Sequence, residues 1–214
     1  MNKSFRFFIV LLMPFCLFSG VTSTSAQKLH TRKLGDTRFT EHFQVSEGNS
    51  DVLDGKYELY YKSHLIERGR YKNGVRAGVW NFYNLNNLFE FQYDFTRDLL
   101  LNLSGSDIYA RNNYTPPLFL GSPLIPYIYI LDSLGYPLET FEKNVEGKVV
   151  LTLIISTEGE ILESFISESL DEATDREVLN TVKNFPDTWR WIPAKRDGIK
   201  IESDYKITVY FDLD

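Results

Sequence analysis

Two stretches in which apolar residues recur with a period of two constrain the fold of this chain most. In 148–156, every second side chain from Val149 to Ile155 is a valine, leucine or isoleucine. The run 201–213 alternates in the same way over its whole length. Successive side chains of a β-strand point to opposite faces, so both runs predict strands with one apolar face, and in 201–213 the opposite face is polar and wet. Such strands are typical of an antiparallel sheet that helices cover on one side.

Between these runs the sequence predicts a hairpin and one helix. Gly159 marks a turn that leads into a strand over 161–168. Apolar residues at helical spacing follow until Pro186 ends the pattern. Ser169 and a glutamate three residues later have capping-box spacing, which places the start of the helix at Ser169. The C-terminal part is therefore predicted to be an α+β domain.

Residues 27–112 predict a smaller, all-β module. From Arg38 onward, short aromatic strands are separated by turns rich in Gly, Asn and Asp. The segment 55–60 can be laid over 78–83 at an offset of 23 residues, and this period is too short for a pair of helices. We therefore expect stacked β-hairpins.

One stretch of this module, 71–83, has the order Y-x-N-G-x-x-x-G-x-W-x-x-Y. It is similar to the bacterial variant of the MORN repeat, and the resemblance covers about 38–105. Asn73-Gly74 would supply the positive-φ turn of a tight hairpin, and Gly78 would let strands approach closely. The resemblance implies a hairpin scaffold and no activity. The aromatic residues expected in the core of this scaffold are Trp80, Phe82 and Tyr93.

The first 26 residues resemble a secretory signal peptide. Lys3 and Arg6 form a charged start, an apolar run covers 7–21, and small residues precede a predicted cleavage site before Gln27. The alternative is that the apolar run stays uncleaved as a single-pass anchor in the inner membrane. Cys16 is the only cysteine, so cleavage would exclude thiol chemistry, disulfides and Cys–metal sites from the mature protein.

Charge is unevenly distributed along the chain. Residues 131–214 contain 9 Lys or Arg against 18 Asp or Glu, whereas 27–130 contain 12 against 11. The acidic C-terminal half argues against nucleic acid or anionic lipid as its ligand. The three histidines are scattered, and the chain has no phosphate-binding glycine loop, nucleophile elbow or paired-carboxylate motif. The sequence thus predicts no catalytic, cofactor-binding or metal site and no enzymatic activity.

A series of short motifs in the C-terminal part follows the order of the TonB C-terminal domain. They are Tyr136-Pro137, Glu146-Gly147-Lys148-Val149, the turn Thr157–Glu160, Asp175-Arg176-Glu177-Val178, Trp189-Arg190-Trp191-Ile192-Pro193-Ala194, Gly198 and Phe211. The chain resembles this family over about 116–214. The resemblance implies a three-stranded antiparallel sheet with packed helices, which grips a short peptide of an outer-membrane receptor by strand addition. It also implies that one of the two tryptophans packs under the sheet.

These observations divide the chain into four parts. They are a signal peptide (1–26), a MORN-like β-hairpin module (27–112), a linker (113–130) and a TonB C-terminal-like domain (131–214).

The expected function is that of a periplasmic protein–protein interaction protein. It would bind an extended peptide of an envelope or outer-membrane partner, for example a TonB-dependent receptor, through the strand 201–213. One alternative is a membrane-anchored TonB-type energy transducer for receptor-mediated transport, although the chain lacks a long extended linker and its N-terminal apolar run has no histidine. Another is a structural envelope module that binds through its hairpins. The expected partner-binding residues are Tyr136, Pro137, Lys206, Thr208 and Tyr210.

Overall fold

A computed structural model describes residues 28–34, 38–105, 113–134 and 146–212. Within these ranges the chain forms fifteen strands and two helices, so it is an α+β protein in which strands predominate. The strands form four sheets: one of seven strands, two of three strands and one of two strands.

The N-terminal module is a seven-stranded antiparallel meander, in which each strand pairs with the next in the sequence. Its strands are β1 (His30–Lys33), β2 (Phe39–Ser46), β3 (Asn49–Tyr61), β4 (His64–Lys72), β5 (Val75–Tyr83), β6 (Phe89–Asp94) and β7 (Leu99–Leu103). The predicted sheet of β-hairpins is thus present, while its kinship with MORN repeats stays a prediction. Asn73 and Gly74, with φ of 52° and 80°, form the two-residue turn between β4 and β5.

Trp80 lies at the centre of the meander core. Its side chain is fully buried, and its Nε1 donates a hydrogen bond to the Arg70 carbonyl at 3.2 Å. A Cβ at Gly69 would lie only 2.1 Å from the indole ring, so Gly69 is the glycine that permits close packing. The prediction for Gly78 was wrong in this respect, because no atom lies within 4 Å of a Cβ there. Its φ of +61° is what favours glycine.

The predicted linker, 113–130, contains ordered elements. These are β8 (Tyr114–Thr115), β9 (Leu118–Phe119) and most of α1 (Leu124–Ser133). Pro116 and Pro117 separate the two short strands, and Pro123 is the N-cap of α1. The prolines therefore lie at the ends of strands and at the start of a helix, which are positions that proline prefers.

The C-terminal domain consists of six further strands and one helix. They are β10 (Gly147–Ile155), β11 (Ile161–Glu168), α2 (Glu172–Val182), β12 (Trp191–Ile192), β13 (Ala194–Arg196), β14 (Ile199–Ile201) and β15 (Ser203–Phe211). Its central sheet has the antiparallel order β11–β10–β15. β9 pairs with β12, and β8 pairs with β13, which pairs with β14. The segment 113–130, predicted as a linker, thus contributes one strand to each of two sheets of this domain.

Two boundaries differ from the predictions. The run 201–213 does not form one strand, because Ile201 ends β14 and β15 begins at Ser203. The N-cap of α2 is Asp171 and not Ser169: an Asp171 carboxylate oxygen accepts the Thr174 N–H at 2.8 Å, and the Thr174 hydroxyl oxygen accepts the Asp171 N–H. This is a capping box built from an aspartate and a threonine, shifted by two residues from the predicted one.

Candidate functional site

The outer edge of the central C-terminal sheet is the best candidate for a binding site. β15 pairs with β10 through nine consecutive residue pairs without a register shift. No strand in the described part of the chain pairs with its other side. A regular strand with one unpaired edge presents backbone N–H and C=O groups that an added strand can use.

β11 forms the opposite edge of this sheet, and its pairing is less regular. It makes six residue pairs with β10, interrupted by irregularities at Val150/Leu151 and at Ile154/Ile155. Bulges bend and twist an edge, and they are one of the means by which proteins keep edges from pairing with other strands. Of the two edges, β15 is therefore the better template for strand addition.

The predicted contact residues of β15 lie together on the face away from the core. Lys206 is exposed, Thr208 is half-buried, and Tyr210 is 60% exposed. The intervening residues of β15 include Ile207, Val209 and Phe211, which are all buried. The alternation predicted from the sequence is thus confirmed over β15, and it leaves a polar row beside the unpaired edge.

Neighbouring β10 residues continue this polar row into the sheet. Tyr210 lies opposite Lys148 in the register, and Lys148 forms an ion pair with Glu168 of β11 at 2.9 Å. The hydrogen bond to Glu168 raises the pKa of Lys148. Thr152 lies opposite Lys206 on the same face of the sheet, but its side chain is fully buried.

Helix α1 lies beside β15 and connects this edge to the meander. Tyr127 of α1 is half-buried and packs against the hydrophobic cores of both parts of the molecule. Burial raises the pKa of Tyr127, and the neighbouring Tyr210, Tyr61 and Asp212 raise it further. The end of β15 is thus close to the meander, which contributes Tyr61.

The two other predicted contact residues, Tyr136 and Pro137, lie outside the described residues, as does Leu213 at the end of the predicted strand. Their prediction stays untested.

A buried carboxylate joins the two parts of the molecule, and the sequence patterns did not point to it. Glu67 of β4 is fully buried, and its two oxygens accept from Arg76 Nη2 and from the Ser122 N–H, both at 2.7 Å. Arg76 also donates to the Leu120 carbonyl at 3.4 Å, and its guanidinium lies 4.3 Å from the centre of the Trp80 ring. The meander thereby holds the segment that leads into α1.

Each of the two C-terminal tryptophans has a structural role. Trp191 is 3% exposed and packs between Phe119 and Tyr205, with ring centres at 5.3 and 6.0 Å. Trp189 is half-buried and lies against Phe119 and Phe185. The Trp191 carbonyl lies 2.0 Å from the position of a Cβ at Gly159, so the β10–β11 turn requires glycine there. Trp191 packs under the sheet, as the family resemblance implied.

In the described ranges no three His, Cys, Asp or Glu side chains are grouped as metal ligands would be. No helix in these ranges is both long enough and apolar enough to span a membrane. The segment 1–26, for which a signal peptide or an anchor is predicted, lies outside them.

The fold and the edge define the class of this domain: a small α+β domain whose sheet is open at a regular outer strand. Residues 132–213 match the sequence profile of the family described as Gram-negative bacterial TonB protein C-terminal. The chain therefore contains a TonB C-terminal domain, and the match lies within the segment 131–214. A domain of this family indicates a TonB-like role in protein interaction at the cell envelope. Searches of curated proteins and of solved structures found no match to the chain.

Proposed function

We propose that this protein acts in the periplasm and binds an extended peptide of an envelope or outer-membrane partner by adding it as a strand to β15. The observation that carries the proposal is the uninterrupted nine-pair register of β15 with β10 beside an edge that no described strand covers. Strand addition derives its affinity from backbone hydrogen bonds, and side chains at alternate positions supply specificity. Lys206, Thr208 and Tyr210 are the side chains that would meet the added strand.

A proline on β15 tests the proposal. Thr208→Pro removes one backbone N–H from the strand and leaves the buried residues on its other face unchanged. If this N–H points outward, peptide binding falls sharply while stability is kept. If it pairs with β10, the domain loses stability instead. Peptide binding measured by fluorescence anisotropy and unfolding in urea distinguish these two results.

The opposite edge supplies the matched control. Ser164→Pro places a proline in the middle of β11, where Ser164 pairs with Leu153. Peptide binding should survive this change at concentrations where the variant is folded. Unchanged binding and unchanged stability of Thr208→Pro would show that β15 is neither a binding edge nor a member of the ladder.

The position of the protein in the envelope depends on the segment 1–26. We expect export and cleavage before Gln27, which would leave a periplasmic protein in which the meander supports the TonB C-terminal domain as a MORN-like scaffold. Intact mass and N-terminal sequencing of the protein from cells measure this directly. A full-length chain in washed inner membranes would instead support an anchored energy transducer.

A further inference from the structure

The outer face of β15 is rich in carboxylates. Glu202 just before the strand, Asp204 near its start and Asp212 just after its end are exposed, and Lys206 is the only exposed cation among residues 202–212. None of these three carboxylates forms an ion pair with another residue in the described part of the chain. A strand that lies along this edge therefore meets uncompensated negative charge at both ends.

The neighbouring strands add to this charge at the Asp204 end of β15 and not at the Asp212 end. Asp204 lies opposite Ile154 of β10, which in turn lies opposite Glu163 of β11, so two carboxylates flank one apolar residue. Two strand spacings separate them by about 10 Å, slightly more than the Debye length of about 8 Å at physiological salt, so salt screens part of their combined effect. The row at Tyr210 differs, because Lys148 and Glu168 neutralise each other there.

We propose, as an extension of the proposed function, that β15 selects an extended segment of a partner protein with Lys or Arg at the positions opposite Asp204 and Asp212. Asp204 lies in β15 and Asp212 follows the strand directly, eight positions further on, so a nine-residue strand reaches both. On the other face of the added strand, the side chains lie beside Ile207 and Val209 of β15 and are apolar. Cross-strand pairs of opposite charge stabilise a sheet, whereas like charges destabilise it.

Three labelled nine-residue peptides test this selectivity. They share one alternating valine–threonine pattern and carry Lys, Gln or Glu at both their first and last positions. Because both ends carry the same residue, the comparison holds for parallel and antiparallel addition alike. The Lys peptide should bind tightest and the Glu peptide weakest, with about a two- to fivefold change in Kd for each charge pair. The difference in Kd between the peptides should become smaller when NaCl is raised from 50 to 500 mM.

A pair of charge variants locates the effect. Asp204→Asn with Asp212→Asn should remove the preference for the Lys peptide. Glu47→Gln with Asp51→Asn neutralises two exposed carboxylates of the meander and should leave the preference intact. A preference that persists in the β15 variant, or equal Kd values for all three peptides, would overturn the selectivity while the proposed strand addition stands. Binding of none of the peptides, even at millimolar concentration, would overturn both.

A second copy of the chain is the competing occupant, because β1 (His30–Lys33) is an edge strand with exposed basic side chains. Sedimentation velocity at several protein concentrations separates the two. A monomer at all concentrations supports a partner protein. Self-association that disappears in the Asp204→Asn, Asp212→Asn variant would assign this edge to a second copy and overturn the proposal.

Discussion

Replacement of Glu67 by glutamine should destabilise the whole protein and not only the meander. Glutamine has nearly the same shape, and its side-chain oxygen can still accept the Ser122 N–H. The change removes the counter-ion of Arg76, whose guanidinium donates to Glu67 at 2.7 Å. Burial alone would lower the pKa of Arg76, but Glu67 and two neighbouring tyrosines outweigh it and raise this pKa. The arginine stays charged in the variant as well, because the guanidinium group is too basic to lose its proton in a protein.

The size of the effect follows from the burial of the two partners. Loss of one partner of a buried ion pair costs about 3–5 kcal/mol, since the other charge is left uncompensated. The Glu67 side chain is fully buried, but that of Arg76 is 24% exposed and keeps some contact with water. We therefore expect the free energy of unfolding to fall by about 3 kcal/mol, the lower end of that range.

A second substitution shows whether the cost is electrostatic. Arg76→Met in the Glu67→Gln background removes the uncompensated charge and keeps an apolar stem over Trp80. Because apolar replacement of a buried ion pair is often close to neutral, the double variant should regain about 1–2 kcal/mol relative to Glu67→Gln.

Urea titrations followed in parallel by tryptophan fluorescence and far-UV circular dichroism measure these free energies. Trp80 reports on the meander, and Trp189 and Trp191 report on the C-terminal domain. A loss below about 1 kcal/mol for Glu67→Gln would refute the reasoning. It would mean that water in the neighbouring cavity of about 660 Å³, which both side chains line, solvates the pair.

Two further substitutions test the meander core. Trp80→Ala should lower the free energy of unfolding by about 3–5 kcal/mol, because the indole is fully buried, and equal urea midpoints of variant and parent would contradict its place in the core. Burial and the hydrogen bond to Glu41 raise the pKa of Tyr57 in the folded protein. The stability that this shift contributes is fully present below about pH 10. It is lost at higher pH, because the tyrosine then releases its proton in the unfolded chain and not in the folded one. Tyr57→Phe should therefore lose less stability than the parent as the pH rises, by about 1 kcal/mol between pH 10 and pH 11. Urea titrations between pH 9 and 11 measure this difference, and an identical pH slope in both proteins would show that Tyr57 ionises normally.

Features that depend on neighbours in the sequence were predictable. Apolar residues at every second position located β10 and most of β15, because successive side chains of a strand point to opposite faces, and the turn at Gly159 located β11. The turn at Asn73-Gly74 was predictable for the same kind of reason, since a tight hairpin needs positive φ at both positions. The burial of Trp80 followed from its place in an aromatic hairpin pattern.

Features that depend on distant parts of the chain were not predictable. The prolines of 113–130 indicated a linker, yet β8 and β9 pair with strands about 70 to 80 residues further on and gain their order there. Gly69 lies under Trp80 across a strand pair, and no local pattern distinguishes it from a turn glycine.

The sequence by itself thus determined which segments are strands and which faces of them are apolar. The tertiary structure decided which edge of the C-terminal sheet is regular, and it decided that Glu67 is buried. A glutamate in a strand of mixed polarity is expected to face water, because burying its charge without partners is costly. Only the folded chain brings Arg76 and the N–H of Ser122, 55 residues away, to its two oxygens, and these bonds compensate that cost.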